Sequence, residues 1–167
     1  MKIALFIIDM QKAYYNDKTK SSMNDACEYI NAIIPLFRKH KLPIIWIQNK
    51  DEYDDAVPGK EAFEFIDRLK PEKDDYRIIK EYGNAFNKTD CSKIIADNNI
   101  DMVIITGFSA EYCVLSTHRG ALDLDLTPVI LKNAISSDNN EHIRFVEDIS
   151  NIISYNVLMK ILNHCNS

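Results

Sequence analysis

The sequence predicts an α/β fold: a single-domain three-layer α/β/α sandwich around a mostly parallel sheet of five to six strands. Three observations carry that expectation. Short apolar, β-branched-rich runs recur along the chain and are bounded by turn residues, as in strands buried on both faces. Segments with helical apolar spacing separate them, so strands and helices alternate throughout, which is the pattern of a covered parallel sheet. Finally, 167 residues with 46% hydrophobic content suffice for one full core and are too few for two comfortable ones. No repeat, linker or tail interrupts the pattern, so residues 1–167 read as one domain.

The first strand spans residues 3–8 and ends in Asp9-Met10-Gln11. Its short apolar run, broken by Asp9 with no small-residue cleavage site after it, does not fit a signal peptide. A cytoplasmic location is therefore expected. Ser21 or Asn24 can start a helix running to about His40, with Ala26, Ile30, Ile33, Ile34 and Phe37 as its apolar stripe. Leu42-Pro43 ends it and residues 44–47 form the second strand, with Trp46 packed under the sheet edge. Residues 49–60 are acidic and turn-rich, and 61–69 reads as a short helix in a lid or rim. The third strand, 75–80, ends in Lys80, followed by a loop with two aromatics. Thr89 or Asp90 caps a helix to about Asn98. Residues 102–105 are the fourth strand, and a helix from Glu111 to Leu124 follows the Thr106-Gly107-Phe108-Ser109 interruption. The fifth strand, 126–131, leads through loop 133–138 to a helix capped by Ser136 or Ser137. A short edge strand at 151–154 and a closing helix at 155–162 complete the chain.

Composition excludes several functions. The net charge of −5, with signs interspersed, gives no footprint for nucleic acid, and no basic tract would serve a membrane. No apolar run is long enough to span one. Cys27, Cys91, Cys113 and Cys165 show neither CxxC nor zinc-site spacing, so reduced thiols are expected. A resolving cysteine for redox work is missing near Cys113, and so are the glycine-rich loops of nucleotide-binding folds.

Three residues stand at strand ends. Asp9 follows the first strand, Lys80 closes the third, and Cys113 opens the helix after the fourth. Open parallel sheets place ligands at the carboxyl edge of their strands, so all three project toward one edge. Singly, each has a plainer reading: Asp9 as a cap or turn residue, Cys113 as a small buried hydrophobe. Together they form a nucleophile, a carboxylate able to move its proton, and a cation to hold that carboxylate. A helix start also favours thiolate over thiol. Backbone N–H groups near Ser109 and at Cys113 can face a developing oxyanion.

The residues resemble those of the isochorismatase-like cysteine hydrolases, the superfamily of nicotinamidases and N-carbamoylsarcosine amidases. The resemblance rests on Asp9-Met10-Gln11, on Lys80-Glu81-Tyr82-Gly83-Asn84-Ala85-Phe86, and on Gly107-Phe108-Ser109-Ala110-Glu111-Tyr112-Cys113-Val114. Thr117 and Ala121 continue the family's helix pattern, and His142 sits where many members carry a histidine. The resemblance implies Asp9 as base, Lys80 as positioning cation, Cys113 as nucleophile and a cis peptide at Phe108–Ser109. It also implies a homo-oligomer. Cys113 points to the amidase side of the superfamily, with a small amide, ureido or carbamoyl compound as substrate. A catalytically silent member that binds a small ligand or a protein partner is the alternative.

Nicotinamidases resemble one another in an Asp-x-His and a further histidine after the second strand, which bind a metal. Here that segment is Asn49-Lys50-Asp51-Glu52-Tyr53, and Asp51, Glu52, Asp54 and Asp55 read as a solvated acidic loop. No metal and no other cofactor are expected. Gln11, Tyr14, Tyr82, Phe86 and Tyr112 are the candidate pocket walls, with core packing as the other reading for each. Cys27, Cys91 and Cys165 are assigned to structure, and His118 and His142 to packing or capping.

Overall fold

All six strands of the sheet run parallel, in the order β3-β2-β1-β4-β5-β6. The structure, a computed structural model, describes residues 2–164. The strands are β1 (Ile3–Ile8), β2 (Ile44–Asn49), β3 (Tyr76–Lys80), β4 (Met102–Phe108), β5 (Thr127–Ser136) and β6 (Ile152–Ile153). The helices are α1 (Lys20–Lys39), α2 (Cys91–Asp97), α3 (Leu115–Leu122), α4 (Asn140–Asp148) and α5 (Tyr155–His164). Among the described residues no helix is long and apolar enough to cross a membrane.

Strand alternation sorts the core into two layers. Leu5, Ile7, Trp46 and Ile104 face α1 and α5, meeting Ile30, Ile33, Phe37, Leu158 and Leu162. Ala4, Phe6, Ile8, Ile45 and Ile105 face the other way, against Cys91 and Ile95 of α2, Ala121 of α3 and Val146 of α4. Because both faces are covered, β1 is buried at every position, which explains its unbroken apolar run. Trp46 is fully buried and donates its indole N–H to Asp75 Oδ2 at 2.8 Å; Arg38 reaches the same oxygen at 2.9 Å. Cys27 and Cys91 are buried, as a structural role requires, and Cys165 lies outside the described residues.

The strand order reverses between β1 and β4. The chain moves outward from β1 to β2 and β3, then returns to β4 on the other side of β1. A crevice at such a switch point is the usual ligand site of an open α/β sheet.

Several boundaries differ from the sequence expectation, each for a physical reason. Helix α1 starts at Lys20, after Thr19, whose hydroxyl accepts from the Asn16 amide at 3.0 Å and donates to the Tyr14 carbonyl. Of 61–69 only Glu61–Phe63 is helical, as one 3₁₀ turn. The segment instead lies along 10–12: Lys12 N–H donates to Glu64 O at 2.8 Å and Ile66 N–H to Met10 O at 3.0 Å. Strand β5 continues through the expected loop to Ser136. Lys132 and Asn133 are exposed within it, and the register against β4 slips between Ile105 and Gly107. Asn133 adopts a positive φ of 66° there, so a bulge with two polar residues imitates a strand end. Asn139, not Ser136 or Ser137, caps α4, accepting from the Glu141 amide at 3.0 Å.

Candidate active site

The end of β1, the end of β3 and the turn after β4 deliver three side chains to one point. Lys80 Nζ donates to Asp9 Oδ2 at 2.7 Å and to Cys113 Sγ at 3.1 Å. Lys80 stands on β3, separated from β1 by β2, so its chain crosses the end of β2. There it meets Asn49 Oδ1 at 3.2 Å. Asp9 and Lys80 are both buried, while Cys113 is partly open. Asp9 itself takes a positive φ of 49°, which turns the chain sharply out of β1 and is uncommon for a residue with a Cβ.

Burial and charge set the protonation of this cluster. Burial pushes the Asp9 carboxyl up, against the opposing pull of the Lys80 ammonium and its hydrogen bond. Burial works against the Lys80 ammonium too, but Asp9 and Cys113 outweigh it and leave its pKa raised. The Cys113 thiol is pushed up to about 12, by burial first and by Asp9 next, with Lys80 only partly opposing. Burial and Asp9 thus oppose the thiolate that the helix start is expected to favour. Asp9 Oδ1 meets no donor at hydrogen-bond geometry, although Cys113 interacts with the carboxylate. That oxygen is left free to accept a further hydrogen bond.

Cys113 lies on a π-helical turn, Ala110–Val114, that precedes α3. The expected α-helix from Glu111 thus begins as a wider turn, a feature found frequently at functional sites. Tyr112 and Val114 both donate their amides to the Ser109 carbonyl at 3.1 Å, and Cys113 between them does not. The peptide bond Phe108–Ser109 is cis.

A cavity of about 290 Å³ adjoins this turn, bounded by Tyr14, Phe108, Ser109, Glu111 and Tyr112 with Lys18, Asp54 and Asp138 at its polar side. Tyr14 stacks on Phe108, with ring centroids 5.4 Å apart, and its hydroxyl accepts from Asn49 Nδ2 at 2.9 Å. The cavity's lining includes none of Asp9, Lys80 and Cys113 themselves; it meets the Cys113 turn through Ser109, Glu111 and Tyr112, whereas a larger hollow of about 390 Å³ between Ile95, Ile100 and Leu126 includes no residue of that turn.

The five residues expected on the pocket wall separate in the structure. Tyr14 and Tyr112 line the cavity. Gln11 is fully buried and spends its amide on backbone: Nε2 on Asn49 O at 3.0 Å and Phe63 O at 3.1 Å, Oε1 on Asn49 N–H at 2.7 Å. It braces the ends of β1 and β2 beneath the site. Phe86, half-buried, packs on Phe6 with ring centroids 5.8 Å apart, against the core. Tyr82 is exposed, with its hydroxyl accepting from Lys88 at 3.0 Å.

Two participants escaped the sequence reading. Asn49 links Lys80, Tyr14 and Gln11; its signal was a polar residue closing an apolar strand at the same edge as Asp9. Glu111 accepts from Ser109 Oγ at 2.6 Å, from Ser137 Oγ at 2.9 Å and from His142 Nδ1 at 2.6 Å. Its signal was an acid two residues before the cysteine, and His142 does more than pack or cap. Glu111, Asp138 and His142 each bring one potential metal-ligand atom within 4.8 Å of the others, but the Glu111 oxygens already serve three donors.

Comparisons with known proteins bear on the family and the fold. The family model described as Isochorismatase domain matches residues 3–150. An uncharacterized isochorismatase family protein, YrdC of Bacillus subtilis, is 29% identical over 140 residues, covering 81% of this chain and 74% of its own. An isochorismatase-like hydrolase from Alkaliphilus metalliredigens superposes with a TM-score of 0.88 at 22% identity, covering 96% of this chain and 98% of that one. N-carbamoylsarcosine amidase from Thermoplasma acidophilum gives a TM-score of 0.81 at 21% identity over 93% and 97% of the two chains.

Proposed function

This chain belongs to the isochorismatase family of hydrolases, and on that premise we propose that it is a cysteine-dependent amidohydrolase acting on a small amide, ureido or carbamoyl compound. The observation that carries the reading is the contact of one buried ammonium with both a carboxylate and a thiol, Lys80 to Asp9 and Cys113. Likeness in fold to an N-carbamoylsarcosine amidase supports the C–N bond as target.

In this mechanism Cys113 Sγ attacks the amide carbonyl carbon as its proton passes to Asp9. The S–C bond forms, the carbonyl π pair moves to oxygen, and the amides of Ser109 and Cys113 receive that oxygen. Collapse re-forms the C=O bond and breaks the C–N bond, with Asp9 returning the proton to the departing nitrogen. Water, losing a proton to Asp9, adds to the acyl-thioester carbon; collapse breaks the C–S bond, and Asp9 returns that proton to sulfur, releasing the acid and the thiol. Lys80 keeps Asp9 anionic between steps and offsets charge on sulfur. Neither cofactor nor metal enters these steps. We extend the family expectation of a homo-oligomer to this chain as well.

Ammonia release from a panel of small carboxamides, ureido acids and carbamoyl compounds tests the reading. Cys113→Ala and Asp9→Asn should each abolish it. Turnover that survives Cys113→Ala would assign the reaction to another nucleophile, and a folded wild-type protein inert on the whole panel would favour a ligand-binding role.

A further inference from the structure

A chain of polar contacts runs from the cap of α4 to the turn that carries Cys113. Asn139 Oδ1 accepts from the Glu141 amide at 3.0 Å, which turns its Nδ2 toward His142 Nε2 at 3.3 Å. An NH₂ group can only donate, so Nε2 accepts and the ring proton lies on Nδ1. Nδ1 donates to Glu111 Oε1 at 2.6 Å, where Ser137 Oγ also donates at 2.9 Å. The other oxygen, Oε2, accepts from Ser109 Oγ at 2.6 Å. Glu111 thus ties together the start of the cysteine turn, the connection after β5 and helix α4. Burial raises its pKa, but hydrogen bonds from Ser109, its own backbone, His142 and Ser137 outweigh that and hold the carboxylate below the usual range.

Ser109 is the joint of this arrangement. Its hydroxyl is held by Glu111, while its carbonyl receives the Tyr112 and Val114 amides and so anchors the turn bearing Cys113. Rotating Ser109 would move both its own amide and the orientation of the turn. We propose that Glu111 is a positioning residue for catalysis, locking Ser109 so that the amides of Ser109 and Cys113 converge on the oxyanion. This inference rests on the amidohydrolase reading. Glu111 acts through Ser109 and touches no reacting atom in it.

A double-mutant cycle tests it. Glu111→Gln keeps the shape and converts one acceptor to a donor; Ser109→Ala removes the hydroxyl and keeps the amide. Two readouts are used beside the melting temperature. The first is kcat and KM for the best amide of the panel. The second is the affinity for propionaldehyde, read without turnover by NMR of its isotope-labelled carbonyl carbon: Cys113 sulfur bonds to that carbon, the π pair moves to oxygen, and that oxygen takes the thiol proton, giving a tetrahedral adduct. Each single variant should lower kcat about ten- to a hundredfold, with KM within about twofold, and weaken propionaldehyde by a similar factor. The double variant should be no worse than the more severe single. Unchanged kcat and aldehyde affinity, or losses that multiply in the double variant, would overturn the inference. If Glu111→Gln fails to fold, Ser109→Ala alone must still show the kcat and aldehyde losses. If no amide is turned over, the amidohydrolase reading falls while the aldehyde arm still decides: a weaker adduct in the variants supports positioning, and an equal or wholly absent one refutes it.

Discussion

The sulfur of Cys113 lies only 3.1 Å from the Lys80 ammonium, yet its surroundings favour the thiol. Burial and the nearby Asp9 carboxylate together exceed the help from Lys80, and the thiol rises to about 12. In the proposed mechanism the nucleophile is therefore made during attack, with Asp9 as acceptor. Below its pKa a thiol gains about tenfold in thiolate fraction per pH unit. Iodoacetamide should thus alkylate Cys113 slowly at pH 7 and progressively faster toward pH 10, with the fully buried Cys27 and Cys91 silent in the native protein. Rates measured by mass spectrometry that were already flat at pH 7 would show a preformed thiolate.

Removing the cation alone leaves Asp9 buried with its charge uncompensated. Breaking a buried ion pair from one side typically costs about 3–5 kcal/mol. Lys80→Met should show a loss of that order in urea unfolding at neutral pH, and the pair Lys80→Met with Asp9→Asn should recover most of it. A single Lys80→Met as stable as the wild type would mean that Asp9 is already protonated.

Glu111 also shapes acid stability. Its pKa is depressed in the folded protein from an ordinary 4.5. Its stabilising contribution is thus fully present above pH 4.5 and is lost as pH falls through the depressed folded value. Melting temperatures of Glu111→Gln and wild type should differ at pH 7 and converge under acid conditions below pH 4.5. A gap that stayed constant on acidification would assign the loss to packing and not to the carboxylate.

Gly107 and Gly59 separate two costs of a side chain. Both have positive φ, 114° and 90°. A Cβ at Gly59 meets nothing, whereas one at Gly107 would lie 2.1 Å from the Ile8 carbonyl oxygen. Gly59→Ala should cost only the backbone strain, about 1 kcal/mol. Gly107→Ala must also push β4 from β1 next to the turn that carries Cys113, so its thermal midpoint should fall further and activity should fall with it. Equal shifts in the two midpoints would dismiss the contact.

The sheet was legible because burial on both faces writes β1, β2 and β4 as short apolar runs, while the edge strands β3 and β6, half exposed, still carry isoleucine pairs between turn residues. The strand-end rule then brought Asp9, Lys80 and Cys113 to one edge. Segments held by tertiary contacts were less readable. The 61–69 stretch carries helical spacing, yet hydrogen bonds to Met10 and Lys12 draw it out straight. The bulge in β5 hides behind Lys132 and Asn133. Gln11 and Phe86 lie near Asp9 and Lys80 in sequence, but their side chains turn into the brace and against the core. Glu111 and Asn49 gain their partners from distant segments, and one-dimensional patterns do not record such pairings.

Lys80 belongs to β3, which pairs only with β2 and closes the sheet on that side. Edge strands fray at lower free energy than central ones, whereas Asp9 and Cys113 follow β1 and β4, neighbours in the middle. A fluctuation that lifts β3 away would withdraw the cation and leave the other two groups seated. Heat inactivation should consequently run ahead of global melting, and amide hydrogens of residues 76–80 should exchange sooner than those of residues 3–8. Working life at temperature is then set by the outermost strand, while overall fold persistence is set by the centre.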